Sequence, residues 1–222
     1  MLEEQVEFCK TIKGALLDDY LAKGWYRQSF LIFTTHFLAP FSDGHTFRVY
    51  WLRYIVPKVL LSKKATAILK ANNGFSVHCE PLRLTAEIAR LHQLYAAGVS
   101  FNTSNNLAEL LSDPYNEIYD SHIIQVRDKG RLIACGIFDK GKESIAGIIN
   151  FYDPAYKKYS PGKFLILQKY KYCIDNAIPY YYPGYYTPEH PLFDYKLFLD
   201  KNATEVYLPE SRDWVALNDF HY

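Results

Sequence analysis

Paired thiols are missing from this sequence. Its four cysteines, Cys9, Cys79, Cys135 and Cys173, stand far apart and form no C-x-x-C unit, so the usual spacing for a thiolate-held zinc or iron is absent. Cys135 and Cys173 sit in apolar patterns, as small core residues do. The seven histidines have no ligand spacing with the cysteines, and the chain is expected to hold no metal and no cofactor. No run approaches the roughly 20 apolar residues of a membrane-spanning helix, and no signal peptide is visible. A cytoplasmic, reducing setting without a membrane partner is therefore expected. There is no G-x-S-x-G elbow and no P-loop lysine motif. Net charge is also scarce, at +1, so global charge selects no partner.

What is present is an ordinary globular composition, 49% hydrophobic and 22% charged over 222 residues, enough for one large domain or two small ones sharing a core. The charge is unevenly spread. Residues 47–73 carry six basic side chains and no acid, residues 154–174 carry five lysines and no acid, and residues 200–222 carry five acids against two bases. The two basic stretches suit one positive face for an anionic ligand. Charge alone favours the simpler reading of two solvated helix faces.

Taken in order, residues 6–23 carry helical spacing, with Gly24 as a stop. Residues 29–38 and 46–56 read as strands around a turn at Pro40 to Gly44. A helix over 62–71, a strand over 75–79, a helix over 82–97 and a short helix over 104–111 with Ser104 as its cap come next. Three strands, 122–127, 132–138 and 145–152, are joined by the tight turns Asp128-Lys129-Gly130 and Asp139-Lys140-Gly141-Lys142. A helix over 163–177 follows, with Ile166, Leu167, Tyr170, Cys173, Ile174 and Ala177 expected inward, then a strand over 178–182. The acidic end is expected to hold one more strand. The second half thus reads β-β-β-α-β, the core order of N-acetyltransferase-type folds. The expected class is α/β, with a mixed, largely antiparallel sheet and flanking helices. Residues 1–115 are expected as one acyltransferase-like half carrying the basic helix, and residues 116–222 as the core with the donor site.

The candidate site lies in residues 144–198. Ten of the 20 tyrosines fall between Tyr152 and Tyr186, beside the backbone motifs. Ser160-Pro161-Gly162-Lys163 opens a helix, where free N–H groups and the helix dipole favour an anion and Gly162 lets it approach. A capped helix start with proline in its first turn explains the same four residues. Tyr182-Pro183-Gly184-Tyr185-Tyr186 ends a strand, where tyrosines can stack on a base or bond an ester. A rim of core aromatics is the alternative there. Tyr195-Lys196 brings an amine towards the same place.

These segments together resemble the arginyl-tRNA–protein transferases, a family that includes the bacterial aspartate/glutamate leucyltransferases. The resemblance rests on a Phe-aromatic-Asp-Pro strand end at Phe151 to Pro154 and a Ser-x-Gly turn at Ser160 to Gly162. It continues with Pro179-Tyr180, the Tyr-x-Gly-Tyr unit from Tyr182 to Tyr185, and a Tyr-Lys-Phe tail at Tyr195, Lys196 and Phe198. It is specific over about residues 120–200 and fainter over 14–70. The sequence departs from the family at its cysteine cluster, where Ser42-Asp43-Gly44-His45 and Arg48 replace cysteines, and at the turn, where Lys163 replaces threonine.

The resemblance implies a duplicated N-acetyltransferase-like fold. It also implies transfer of an amino acid, arginine in the name-giving members, from aminoacyl-tRNA to the N-terminal amine of a protein or peptide. On that reading Ser160, Gly162, Lys163, Tyr182, Gly184, Tyr186 and Lys196 hold the donor, and Asp153 and Tyr185 are candidates for proton transfer. Lys157, Lys158, Lys63 and Lys64 meet tRNA phosphates. Two other readings stay open. One is an acyl-CoA-dependent small-molecule N-acyltransferase, although the Q/R-x-x-G-x-G/A loop is missing. The other is a non-catalytic relative that binds tRNA or a protein N-terminus.

Overall fold

The structure is a computed structural model that describes residues 4–39, 44–99, 106–113 and 116–221. The first part of the chain forms β1 (Gln5–Glu7), α1 (Ala15–Ala22), β2 (Tyr26–Gln28), β3 (Leu31–Thr34), β4 (Phe37–Leu38), β5 (Phe47–Arg48) and β6 (Tyr50–Ile55). Next come α2 (Lys63–Ala71), β7 (Ser76–Pro81), α3 (Ala86–Ala96) and α4 (Leu107–Leu111). The rest forms β8 (Ser121–Asp128), β9 (Arg131–Lys140), β10 (Ser144–Tyr152), α5 (Pro161–Asp175), β11 (Tyr180–Tyr186), β12 (Thr204–Leu208) and β13 (Asp213–Ala216).

Eight strands make one sheet in the order β13-β12-β6-β11-β10-β9-β8-β7. Its neighbours are antiparallel except β10 and β11, which run parallel through the α5 crossover. The sheet is mixed and largely antiparallel, as expected. The sheet takes β6 and β7 from before residue 116 and its other strands from after it, so the two expected halves share one sheet.

Alternation along the strands divides the core. Ile124 and Val126 face α5, packing with Phe164, Leu165, Leu167 and Cys173. Ile123 points the other way, into the layer of Ile88, Leu91, Cys135 and Phe151 beneath α3. The small sheet β1-β3-β2 covers the remaining flank through Tyr26, Ile32, Phe33 and Trp51. Arg27 of β2 ties that sheet down. Its guanidinium donates to Asp139 of β9 and to Ser121 Oγ, both at 2.9 Å, and to the Leu111 carbonyl at 2.6 Å. Burial pushes the Asp139 carboxyl up, and Arg27 opposes that shift. Removing one partner from so buried a pair costs about 3–5 kcal/mol.

Several expectations are corrected. The first helix begins only at Ala15, because Gly14 sits at φ 56°, ψ −131° and residues 5–7 pair with β3 instead. The strand expected over 29–38 is two, β3 and β4, parted at Thr35 and His36, and Ser29 at φ 60° turns the chain ahead of β3. The helix over 82–97 starts at Ala86, where Thr85 accepts from the Ile88 amide at 3.3 Å. Asn106 caps α4; Ser104 and the turn residues 40–43 lie outside the described residues. The acidic end holds two strands rather than one. On α5, Ile174 is exposed and Lys169 is buried, the reverse of what was expected.

The strands β10 and β11 pair only from Ser144 to Ala146 against Tyr180 to Tyr182; beyond that they part. Each carries an irregularity at the fork. In β10 the register against β9 shifts between Gly147 and Ile149, and in β11 the register against β6 shifts between Tyr181 and Gly184. Bulges of this kind bend a strand and end pairing, and Pro183 has no N–H for a ladder. The Tyr26 hydroxyl lies 2.8 Å from both the Gly147 carbonyl and the Tyr182 carbonyl, so one donor is shared across the fork. Tyr26→Phe is expected to lower stability by about 1–3 kcal/mol, since the buried Tyr182 carbonyl and the part-buried Gly147 carbonyl lose their donor. Urea unfolding that gives an unchanged midpoint would show that Tyr26 does not hold the fork.

Candidate active site

The parted strands open a cavity of about 650 Å³. Gly147 to Asn150 form one wall and Pro183 to Tyr185 the other; Ile166 and Lys169 of α5, with Phe193, Tyr195 and Lys196 beyond β11, complete it. Tyr26, Phe33 and Trp51 close it from the small-sheet side. A gap of this size suits a small ligand group.

Two buried lysines face this largely apolar space. Lys169 is 1% exposed and Lys196 is 8% exposed. Lys169 Nζ donates to the Ile137 carbonyl at 2.8 Å and to Asn150 Oδ1 at 2.9 Å. Lys196 Nζ donates to the Tyr185 carbonyl at 2.8 Å and lies 4.1 Å from the centroid of the Tyr185 ring and 5.1 Å from that of Phe193. Burial disfavours each charge and lowers both ammonium groups to about 7, as expected for lysines removed from water. Gly184 sits at φ 99° with Lys196 Nζ 3.1 Å from where a Cβ would stand. Only glycine meets both the backbone angle and that approach without strain.

Of the residues singled out from sequence, Tyr185, Gly184 and Lys196 come together on the cavity. Tyr182 borders the fork through its carbonyl, but its ring packs on Trp214 at 5.6 Å. Tyr186 packs beside Tyr50, Leu52 and Val206. Asp153 is buried, accepts from the Ala155 amide and pairs with Arg131 at 2.5 Å; it does not line the cavity. Pro161 opens α5 as expected, while Ser160 takes the left-handed conformation at φ 54° with no side-chain cap. Ser160 and Gly162 line neither this cavity nor the neighbouring cleft, and a Cβ on Gly162 would meet only the Tyr152 ring, at 3.7 Å.

That neighbouring cleft, of about 460 Å³, brings Lys163 and Lys64 together with Ser62, Phe198 and Asp194, and shares Tyr195 with the cavity. Burial and the charge of Lys64 both lower Lys163. Lys63, Lys157 and Lys158 are exposed away from both openings. Among the described residues no group of three or more His, Cys, Asp or Glu stands close enough to hold a metal, and no helix is long and apolar enough to cross a membrane.

Lys169 is the site residue that sequence reading missed, because it was counted within a basic stretch. The usable signal was spacing: Leu165, Lys169 and Cys173 repeat every four residues on the apolar face of α5.

Residues 87–203 match the family described as "Arginine-tRNA-protein transferase, C terminus". An aspartate/glutamate leucyltransferase from Leptospira interrogans is 25% identical over 177 residues, covering 76% of this chain and 69% of the relative. Its counterpart from Alcanivorax borkumensis is 28% identical over 153 residues, covering 65% of this chain and 61% of the relative. Among solved structures, FemX aligns with 76% of this chain and 59% of its own, at 10% identity and a TM-score of 0.47.

The lysines give stability a particular pH dependence. Their folded values near 7 lie below the unfolded value of about 10.4. Between these limits the unfolded chain holds more protons, so stability rises with pH from about 7 towards 10. Lys196→Met should remove up to about 1.4 kcal/mol per pH unit from that slope. Urea midpoints at pH 7, 8 and 9 that climb equally in both proteins would mean the Lys196 ammonium is not suppressed.

Proposed function

This chain belongs to the arginine-tRNA-protein transferase family, in the family's C-terminal region, and we propose that it moves an amino acid from aminoacyl-tRNA to the N-terminal amine of a protein or peptide. The observation that carries the proposal is the fork between β10 and β11, which lies within the matched region and opens into a cavity lined in good part by aromatic side chains. An ester carbonyl held there is shielded from water, and a neutral amine can be aligned against it. Lys196, with spare N–H groups beyond its bond to the Tyr185 carbonyl, supplies positive charge for the oxyanion or the departing ribose oxygen. Charged tRNA as donor implies the compartment of translation, the cytoplasm.

The donor side chain is uncharged on this proposal. Among the described residues lining the cavity, the exposed Glu4 carries the sole carboxylate, against Arg27, Lys169 and Lys196. An arginyl side chain would enter without a partner, whereas a leucyl-like one meets Ile148, Ile166 and aromatic faces. The Lys64–Lys163 cleft, sharing Tyr195 with the cavity, is proposed to hold phosphates near the 3′ end of the tRNA.

Purified protein is expected to transfer labelled leucine from charged tRNA onto peptides, and to transfer arginine poorly. Acylation from acyl-CoA without any from charged tRNA would replace the proposal with a small-molecule acyltransferase. Binding of tRNA without transfer would point to a non-catalytic relative. The double variant Lys64→Ala/Lys163→Ala should weaken tRNA binding and reduce the slope of log K against log salt by about 1.4, at about 0.7 per phosphate contact on a single strand. An unchanged slope would assign both lysines to a solvated face.

A further inference from the structure

We propose that Lys169 is the base that takes the proton from the acceptor's α-ammonium inside the fork. This rests on the transfer reading and adds a catalytic residue to it. The geometry around Nζ carries the proposal. A neutral amine has two N–H bonds and one lone pair, and Lys169 has two acceptors, the Ile137 carbonyl and Asn150 Oδ1. Both N–H bonds are thereby used and the lone pair is left over. The side chain lines the cavity, so that lone pair has a reaction space beside it.

Two glycines flank the side chain and its neighbours. A Cβ on Gly136 would stand 2.9 Å from Asn150 Oδ1 and 3.2 Å from Lys169 Cε, and a Cβ on Gly147 would stand 3.2 Å from the Tyr181 hydroxyl and 3.4 Å from Lys169 Nζ. Leu165, Ile166 and Cys173 surround it on its own helix, where an apolar residue would pack with no desolvation cost. The charged and titratable groups facing the same space are Arg27 and Tyr26 from β2, Tyr181 and Tyr185 from β11, Tyr195, Lys196, and the exposed Glu4. Asp139 on β9 attracts the ammonium, but burial outweighs it. A lysine that is neutral in a good part of the population near pH 7 is suited to accept a proton there.

The step balances. The acceptor ammonium gives one proton to Nζ. Its freed electron pair forms the C–N bond to the ester carbonyl carbon, and the carbonyl becomes an oxyanion. As that collapses, the bond from carbonyl carbon to ribose oxygen breaks, and the ribose oxygen takes the second proton from the nitrogen. The third stays on the new amide, and Lys169 returns its proton to solvent.

The test measures initial rates of transfer from charged tRNA to a peptide, from pH 6 to 9, for wild type, Lys169→Met and Lys169→Arg. Both variants should lose about 10²- to 10⁴-fold in kcat/KM for the peptide, with binding of an aminoacyl-adenosine analogue within about two-fold of wild type. The loss should narrow as pH rises past the acceptor amine's own ionisation, near 8; a packing role would leave it constant. Either variant within about three-fold of wild type, or a loss unchanged across pH, would overturn the proposal. A wild type that transfers nothing would overturn the transfer reading and the base with it. Should both variants fail to fold, ¹³C-lysine NMR of the wild type decides. A Lys169 midpoint near 7 that moves when acceptor peptide is added supports the base, and a midpoint above about 9.5 refutes it.

Discussion

The separation of β10 from β11 is the constraint on which the remaining features depend. Parallel neighbours in a sheet normally stay paired along their length, and these two pair over three residues and then part. A register shift on each strand bends it away from the other. Pro183 withholds a donor that would close the gap, and Gly184 accepts a backbone angle closed to other residues. The Tyr26 hydroxyl then satisfies a carbonyl on each side of the fork, so unpaired backbone at the opening is not left without a partner. The cavity, the access to Lys169 and the seat of Lys196 all follow from that parting.

The electrostatics of the cavity run against stability. Two lysines are buried among aromatic and aliphatic groups with carbonyls and one amide oxygen as partners, and neither is matched by a carboxylate. Replacement by apolar residues would remove a desolvation cost at both positions. Features that cost stability and share one cavity are the ordinary mark of a site selected for chemistry. The buried Arg27–Asp139 pair differs, since it is a matched contact that fastens the small sheet to the large one and so holds Tyr26 over the fork.

Much of the architecture was legible because it rests on local rules. The meander of β8, β9 and β10 carries its own turn residues, Ser62 and Pro161 mark the starts of α2 and α5, and the aromatic run from Tyr180 to Tyr186 makes a strand. The motif order also singled out the stretch that holds the fork, and Gly184, Tyr185 and Lys196 meet on one cavity. What escaped was long-range. Nothing near Tyr26 tells that its hydroxyl reaches residues 147 and 182. Lys169 reads as one of five solvated lysines until the sheet that buries it is in place. The attraction of Ser160 and Gly162 as an anion site came from helix-start chemistry, and both residues stand clear of the cavity.

On the proposed function, the aminoacyl end of the donor lies in the fork rather than at the start of α5. A crystal structure with a non-hydrolysable aminoacyl-adenosine analogue addresses it directly. The aminoacyl group is expected between the Gly147–Asn150 wall and the Pro183–Tyr185 wall, within reach of Lys196. An aminoacyl group bound at the Ser160–Lys163 turn, with the fork empty, would contradict it.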